Sequence, residues 1–88
     1  MPGRFTVKLT PSFQKDLEDL PRKDQERVLA ALKRLETEPF GSPPHVKKLK
    51  DQGVGRWRLR VGFYRVRYDV LRQEVVLYRV RHRKDIYK

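Results

Sequence analysis

Apolar and polar residues follow two different periods along this chain, and the change of period divides it in two. Phe5-Thr6-Val7-Lys8-Leu9 alternates as a strand does. Thr10 then offers a capping hydroxyl, and Pro11 the fixed φ of a first helical residue. Phe13, Leu17 and Leu20 continue at helical spacing until Pro21 forces a break and a restart. Val28, Leu29, Leu32 and Leu35 make a second apolar stripe with charge on the opposite side, and Pro39 stops it. The first half therefore reads as a short strand followed by a helical hairpin.

Residues 39–44 are rich in proline, glycine and serine and read as a loop, and residues 47–55 as a basic connector. A period of two then returns in three segments, about 55–61, 63–70 and 74–81. Gly62 supplies the first turn between them and Leu71-Arg72-Gln73 the second; residues 83–88 carry no assignment. The order predicts an α+β fold: an N-terminal strand, two helices, then three antiparallel strands, giving a four-stranded sheet with the helices on one face. A chain of 88 residues has room for one such domain, spanning 1–88.

Charge sharpens this picture. The net charge is +11, yet residues 1–44 hold 8 Lys/Arg against 7 Asp/Glu, and residues 45–88 hold 14 against 4. In the second half arginine takes every other position: Arg56, Arg58 and Arg60, then Arg65 and Arg67, then Arg79 and Arg81. Side chains of a strand alternate between faces, so the arginines point one way while Trp57, Leu59, Val66 and the tyrosines point the other. Trp57, Tyr64 and Tyr68 thereby read as core. With helices on the apolar side, the arginine face is left to solvent. Its natural partners are nucleic acid, an acidic protein or an anionic membrane surface.

Other chemistries find no support. Cysteine is absent, so there are no disulfides and no thiolate nucleophile, which fits a reducing cytoplasm. His45 and His82 without cysteines have no ligand-like spacing, so no metal site is expected. Ser12 suits a helix start and Ser42 a proline loop, and Gly53-Val54-Gly55 is too short to cradle a phosphate. No apolar leader follows Met1, and the longest apolar run, Val28 to Leu32, is far below a membrane span. Seven of the eleven acids lie in the helical half, which disfavours paired catalytic carboxylates. Catalysis, if any, falls to Arg, Lys, His82 and Tyr.

Four stretches taken in order resemble the RelE/ParE toxin superfamily: Lys48-Leu49-Lys50, Gly55-Arg56-Trp57-Arg58-Leu59-Arg60-Val61-Gly62, Tyr64-Arg65-Val66-Arg67-Tyr68, and Arg81-His82-Arg83-Lys84-Asp85-Ile86-Tyr87. The resemblance covers nearly the whole chain and is strongest to the RelE branch. It implies a curved antiparallel sheet with two packed helices, and a toxin of a type II toxin–antitoxin module. Its activity would be metal-independent, cofactor-free cleavage of mRNA in the A site of the 70S ribosome, inhibiting translation. It also implies a cognate acidic, RelB-like antitoxin as partner. The ParE branch instead implies a gyrase poison without RNase residues, and a noncatalytic basic RNA-binding module is the third reading.

By the same resemblance, Arg58 and Arg60 match the basic pair that contacts substrate phosphates, Arg65 the arginine of the following Tyr-Arg motif, Arg81 or Arg83 the late arginine, and Tyr87 the near-terminal tyrosine. Cleavage without metal needs a 2′-hydroxyl aligned on its own phosphate, a base, an acid and charge stabilisation. Arginine forks bind phosphate bidentately and stay protonated, but they make poor proton donors. Tyr87 can stack on a base or take a proton, and His82 is either an acid/base group or a structural histidine. The products would be a 2′,3′-cyclic phosphate and a 5′-hydroxyl. Lys47, Lys48 and Lys50, with Arg56 and Arg67, are expected on RNA backbone; Arg72 and Lys84 are expected to be solvated.

Overall fold

The computed structural model describes residues 4–41, 45–50 and 53–86. Its elements are β1 (Thr6–Leu9), α1 (Pro11–Glu18), α2 (Arg22–Leu32) with a 3-10 turn over Lys33–Glu36, β2 (Val46–Lys48), β3 (Trp57–Val61), β4 (Tyr64–Leu71) and β5 (Glu74–His82). The strands form one sheet in the order β1-β5-β4-β3-β2. The chain thus starts beside β5, crosses by way of the helices to the far edge, and returns by three antiparallel steps.

Local chemistry sets each boundary. Thr10 caps α1 by accepting the Phe13 N–H at 3.2 Å, and its hydroxyl donates to the Leu77 carbonyl at 2.8 Å. One residue thereby starts the helix and ties it to β5. Between the helices, the Gln25 side-chain amide donates to the Leu20 carbonyl at 2.9 Å. Phe13 and Leu17 of α1, with Val28, Leu32 and Leu35, bury against Leu59, Val66, Tyr68, Val75, Leu77 and Val80 of the sheet. Each such side chain is worth roughly 1.5–3 kcal/mol. Leu29, expected in this stripe, is 47% exposed: Val28, Leu32 and Leu35 at i, i+4 and i+7 define the buried line, and Leu29 lies off it.

The α+β class is as expected, with two departures. A fifth strand, β2, overlaps the start of the segment expected to be a connector: Val46, Lys47 and Lys48 pair with Leu59, Arg58 and Trp57. Three residues are too few to show a period, and long-range pairing with β3 creates the strand. Second, the sheet is mixed, because β1 runs parallel to β5, with Val7 opposite Val75.

A bulge between β4 and β5 at Arg67/Tyr68 opposes Arg67 to Arg79 and Tyr68 to Leu77, leaving Tyr78 unpaired. The extra residue turns Tyr78 away from the core, where strict alternation would have put it. Its hydroxyl donates to Asp69 Oδ2 at 3.2 Å, and burial, then the Asp69 charge, raises its pKa above the usual value.

The turn between β4 and β5 puts Arg72 at φ 58°, a conformation that favours glycine. Arg72→Gly should therefore raise unfolding stability by about 1 kcal/mol in a urea titration; a destabilised variant would mean that the turn carries no strain.

Tyr68 is fully buried and donates its hydroxyl proton to the Pro39 carbonyl at 2.8 Å. Burial raises its pKa well above the ordinary 10.0. A phenol held protonated in this way stabilises the fold fully below about pH 10, and that contribution is lost as pH rises toward the folded-state value. Tyr64 and Tyr78 are shifted in the same direction. Tyr68→Phe should cost about 1 kcal/mol at pH 7 through the lost hydrogen bond. It should also flatten the decline in stability above pH 10, read by urea unfolding at both pH values.

Candidate functional site

Strand register converts the alternating arginines into two transverse rows. Lys47, Arg58, Arg67 and Arg79 face one another across β2, β3, β4 and β5. One step along the strands, Arg60, Arg65 and Arg81 do the same across β3, β4 and β5. Adjacent strands lie about 4.8 Å apart, close to the spacing at which two guanidinium forks can grip one phosphate.

The two rows have different surroundings. In the first, Arg67 is only 3% exposed, and its guanidinium donates to the Gly55 carbonyl at 2.7 Å. Residues 53–56 fold across it: a Cβ on Gly53 would lie 2.5 Å from an Arg67 guanidinium nitrogen, and one on Gly55 2.8 Å from the Tyr68 backbone nitrogen. Asp69 fixes the same segment by accepting the Arg56 N–H at 2.8 Å. Arg67, expected to face RNA, is instead the covered anchor of this loop. Arg79 forms a forked pair with Asp16, at 2.8 Å and 3.0 Å.

In the second row Arg60 is exposed. The Arg65 guanidinium donates to the Gly62 and Tyr64 carbonyls at 2.8 Å and 2.9 Å, which holds it along the β3–β4 turn. Arg81 lies 3.8 Å from Asp16. Arg56, Lys47, Lys48 and Lys50 are exposed around the β2–β3 side of the sheet. Lys48 helps line a separate groove with Phe40, Trp57 and Leu71.

His82 pairs with Tyr64 in register, so it sits on the side of the sheet opposite the rows. Its ring is edge-on to Tyr64 at 6.0 Å, and its Nδ1 accepts the Lys84 N–H at 3.2 Å. Tyr64 in turn donates to Asp24 Oδ2 at 2.8 Å, and that hydrogen bond raises its pKa. Both residues line a groove of about 530 Å³ with Asp16, Asp19, Arg81 and Asp85. This groove is largely acidic, so the surface suited to a polyanion is the row side, and Arg81 with Asp16 stands between the two. Arg83 lies beyond β5 with its guanidinium over Phe63 at 5.5 Å. Tyr87 and Ser42 fall outside the described residues. Among the described residues no cluster of three His, Cys, Asp or Glu side chains could hold a metal ion.

Sequence reasoning missed two side chains here. Asp16 interrupts the Phe13, Leu17, Leu20 stripe at an inward position, and an acid there was a signal for a buried partner. Asp69, one of four acids in the basic half, had its partners hidden by the bulge.

Residues 7–87 match the family described as ParE toxin of the type II toxin–antitoxin system parDE. The chain belongs to the RelE/ParE toxin superfamily. It is 28% identical over 88 residues, 97% of each chain, to a Methanocaldococcus jannaschii protein provisionally named toxin RelE1. The fold resembles a chain of the archaeal RelE–RelB complex of Pyrococcus horikoshii (TM-score 0.77, 29% identity, 93% of this chain and 98% of that one). It also resembles a chain of the RelBE2 toxin–antitoxin complex of Mycobacterium tuberculosis (TM-score 0.67, 31% identity, 90% and 98%). A third likeness is to the RelB–RelE complex of Methanococcus jannaschii (TM-score 0.71, 28% identity, 92% and 95%).

In this toxin domain Asp16 holds the late arginines. Its side chain is 12% exposed, and besides Arg79 it accepts the Val80 N–H at 3.2 Å, on the part of β5 that β1 does not cover. Asp16→Ala should lower stability by about 2–3 kcal/mol, because it strands a backbone donor and releases two cations. A double-mutant cycle with Arg79→Ala should give a coupling above about 1 kcal/mol; strictly additive losses would mean that the pair does not interact.

Proposed function

We propose that this chain is the toxin of a type II toxin–antitoxin pair and acts as a metal-independent, ribosome-dependent mRNA endoribonuclease in the cytoplasm. The observation that carries this reading is the second row, where Arg60, Arg65 and Arg81 stand on three adjacent strands of one solvent-facing surface. A scissile phosphate on that row would meet several guanidinium forks at once. They would bind its two non-bridging oxygens and stabilise the dianionic, five-coordinate phosphorane.

The 2′-oxygen attacks phosphorus, its proton passes to a base, and the P–O5′ bond breaks as the leaving oxygen gains a proton. The products are a 2′,3′-cyclic phosphate and a 5′-hydroxyl, with no water consumed in the step. Arginine serves charge in this scheme and not proton transfer. The proton-transfer roles fall to Tyr87 and His82, whose position behind the sheet gives it reach only around the β5 end. Lys47, Lys48, Lys50 and Arg56 hold ribosomal RNA backbone, with Arg58 and Arg83 flanking the row. An acidic, RelB-like antitoxin neutralises the toxin by covering these cations, in keeping with relatives seen as RelE–RelB complexes. The ParE description of the matched family favours a second reading, inhibition of DNA gyrase without RNA cleavage.

Mapping mRNA 5′ ends after induction separates these readings. Ends bearing 5′-hydroxyls should appear within translated regions and vanish when translation is blocked. Arg81→Ala should reduce the cleavage rate roughly 10²–10³-fold with ribosome affinity nearly unchanged. Intact mRNA with accumulating DNA breaks would instead establish the gyrase reading.

A further inference from the structure

Phe63 occupies the tip of the two-residue turn between β3 and β4, one residue pair beyond Arg60 and Arg65 of the second row, and is 65% exposed. Most of the ring stays in solvent, and its ring contacts on this surface are with a guanidinium and an imidazole, not with the core. Its surroundings are not apolar either. The Arg83 guanidinium lies 5.5 Å from its centroid, and the His82 ring is nearly parallel to it at 6.1 Å and 18°. Arg65 is bound to the carbonyls of Gly62 and Tyr64 on either side of it. A protein partner would call for contiguous apolar surface, which an isolated ring among cations does not offer. An unpaired nucleobase fits better, because it brings a π face for the ring and a phosphate on each side for the guanidiniums.

The ring is also held in place. The Arg83 N–H donates to the Phe63 carbonyl at 2.8 Å, joining the turn to the end of β5. Behind it, His82 is fixed by the Lys84 N–H and by Tyr64, itself bonded to Asp24. Gly62, at φ 58°, lets the turn close in two residues and presents Phe63 outward. An aromatic side chain fixed in this way loses little conformational freedom on binding.

We propose that Phe63 is a stacking platform for one unpaired base of single-stranded RNA, with Arg83 over the ring and Arg65 on the turn carbonyls taking the neighbouring phosphates and the rest of the second row lying further along the strand. The proposal rests on the reading of RNA as substrate and adds to it a base-contacting residue. Tyrosine or tryptophan at position 63 would keep the platform, and alanine would remove it.

The test is equilibrium binding of a labelled, 2′-O-methylated RNA octamer, which cannot be cleaved, to the purified chain across a salt series. Phe63→Ala should weaken binding roughly 5- to 100-fold, the worth of one stacked base, with the salt slope unchanged. Phe63→Tyr should bind as the parent chain does. Arg60→Gln should instead lower the salt slope by about one unit. Against an abasic octamer the parent chain should lose the same factor, and Phe63→Ala should not distinguish the two oligomers. That comparison holds whatever the substitution does to stability. If Phe63→Ala matches the parent while Arg60→Gln weakens binding, RNA binding stands and the platform is wrong. If no form binds the octamer, the platform is wrong, while the ribosome-dependent reading stands or falls on the mapping of mRNA 5′ ends. If Phe63→Ala binds RNA normally but loses antitoxin affinity, the ring belongs to a protein interface, which also overturns the proposal.

Discussion

Cations facing cations across hydrogen-bonded strands are the constraint around which this fold is arranged. Register sets Lys47 against Arg58, Arg58 against Arg67, Arg60 against Arg65, Arg65 against Arg81 and Arg67 against Arg79. Like charges directly opposite in a sheet are unfavourable, and β3, β4 and β5 bear this cost together. The opposite face offsets it with Leu59, Val66, Tyr68, Leu77 and Val80 packed beneath the helices. On the charged face, two carboxylates and a few carbonyls do the rest. Asp16 takes Arg79, the Gly55 carbonyl takes Arg67, and the Gly62 and Tyr64 carbonyls take Arg65. Asp69 secures the loop that covers Arg67.

This division of labour separates cations that serve the fold from those available to a ligand. Arg67 and Arg79 are engaged by the protein itself, one under a loop and the other in a forked pair with Asp16. The other row lies next to the exposed aromatic turn and includes the exposed Arg60. A surface designed only for solubility would scatter its charges. Concentrating them on consecutive registers raises the local potential, which speeds encounter with a polyanion and holds it once bound. The same concentration costs folding stability through like-charge repulsion.

Much of this was readable from the order of residues. Thr10-Pro11, Pro21 and Pro39 punctuate the helices because each acts through its own backbone, and the period of two in β3 and β4 reports the face packed beneath the helices. The resemblance in the Arg56–Gly62 and Tyr64–Tyr68 stretches points to the superfamily from residue order alone. What sequence left hidden depends on long-range pairing. The strand at Val46–Lys48 exists only because β3 lies beside it. A single bulge moved Tyr78 to the charged face, and the fold of residues 53–56 covered Arg67, which alternation alone had placed in the open. Phe63 passed unnoticed for a related reason: one aromatic beside a turn glycine has no period, and its exposure follows only from the hairpin geometry.

The central claim is that these rows oppose folding and are retained for a polyanion, so the most direct measurement is the thermal midpoint of the isolated chain as its ionic environment changes. Added sodium chloride should raise the midpoint by screening the cross-strand repulsion. At matched ionic strength, a short single-stranded RNA should raise it further, because it binds only the folded arrangement of the rows. A midpoint that stays level or falls with salt, and that RNA leaves unchanged, would contradict the account.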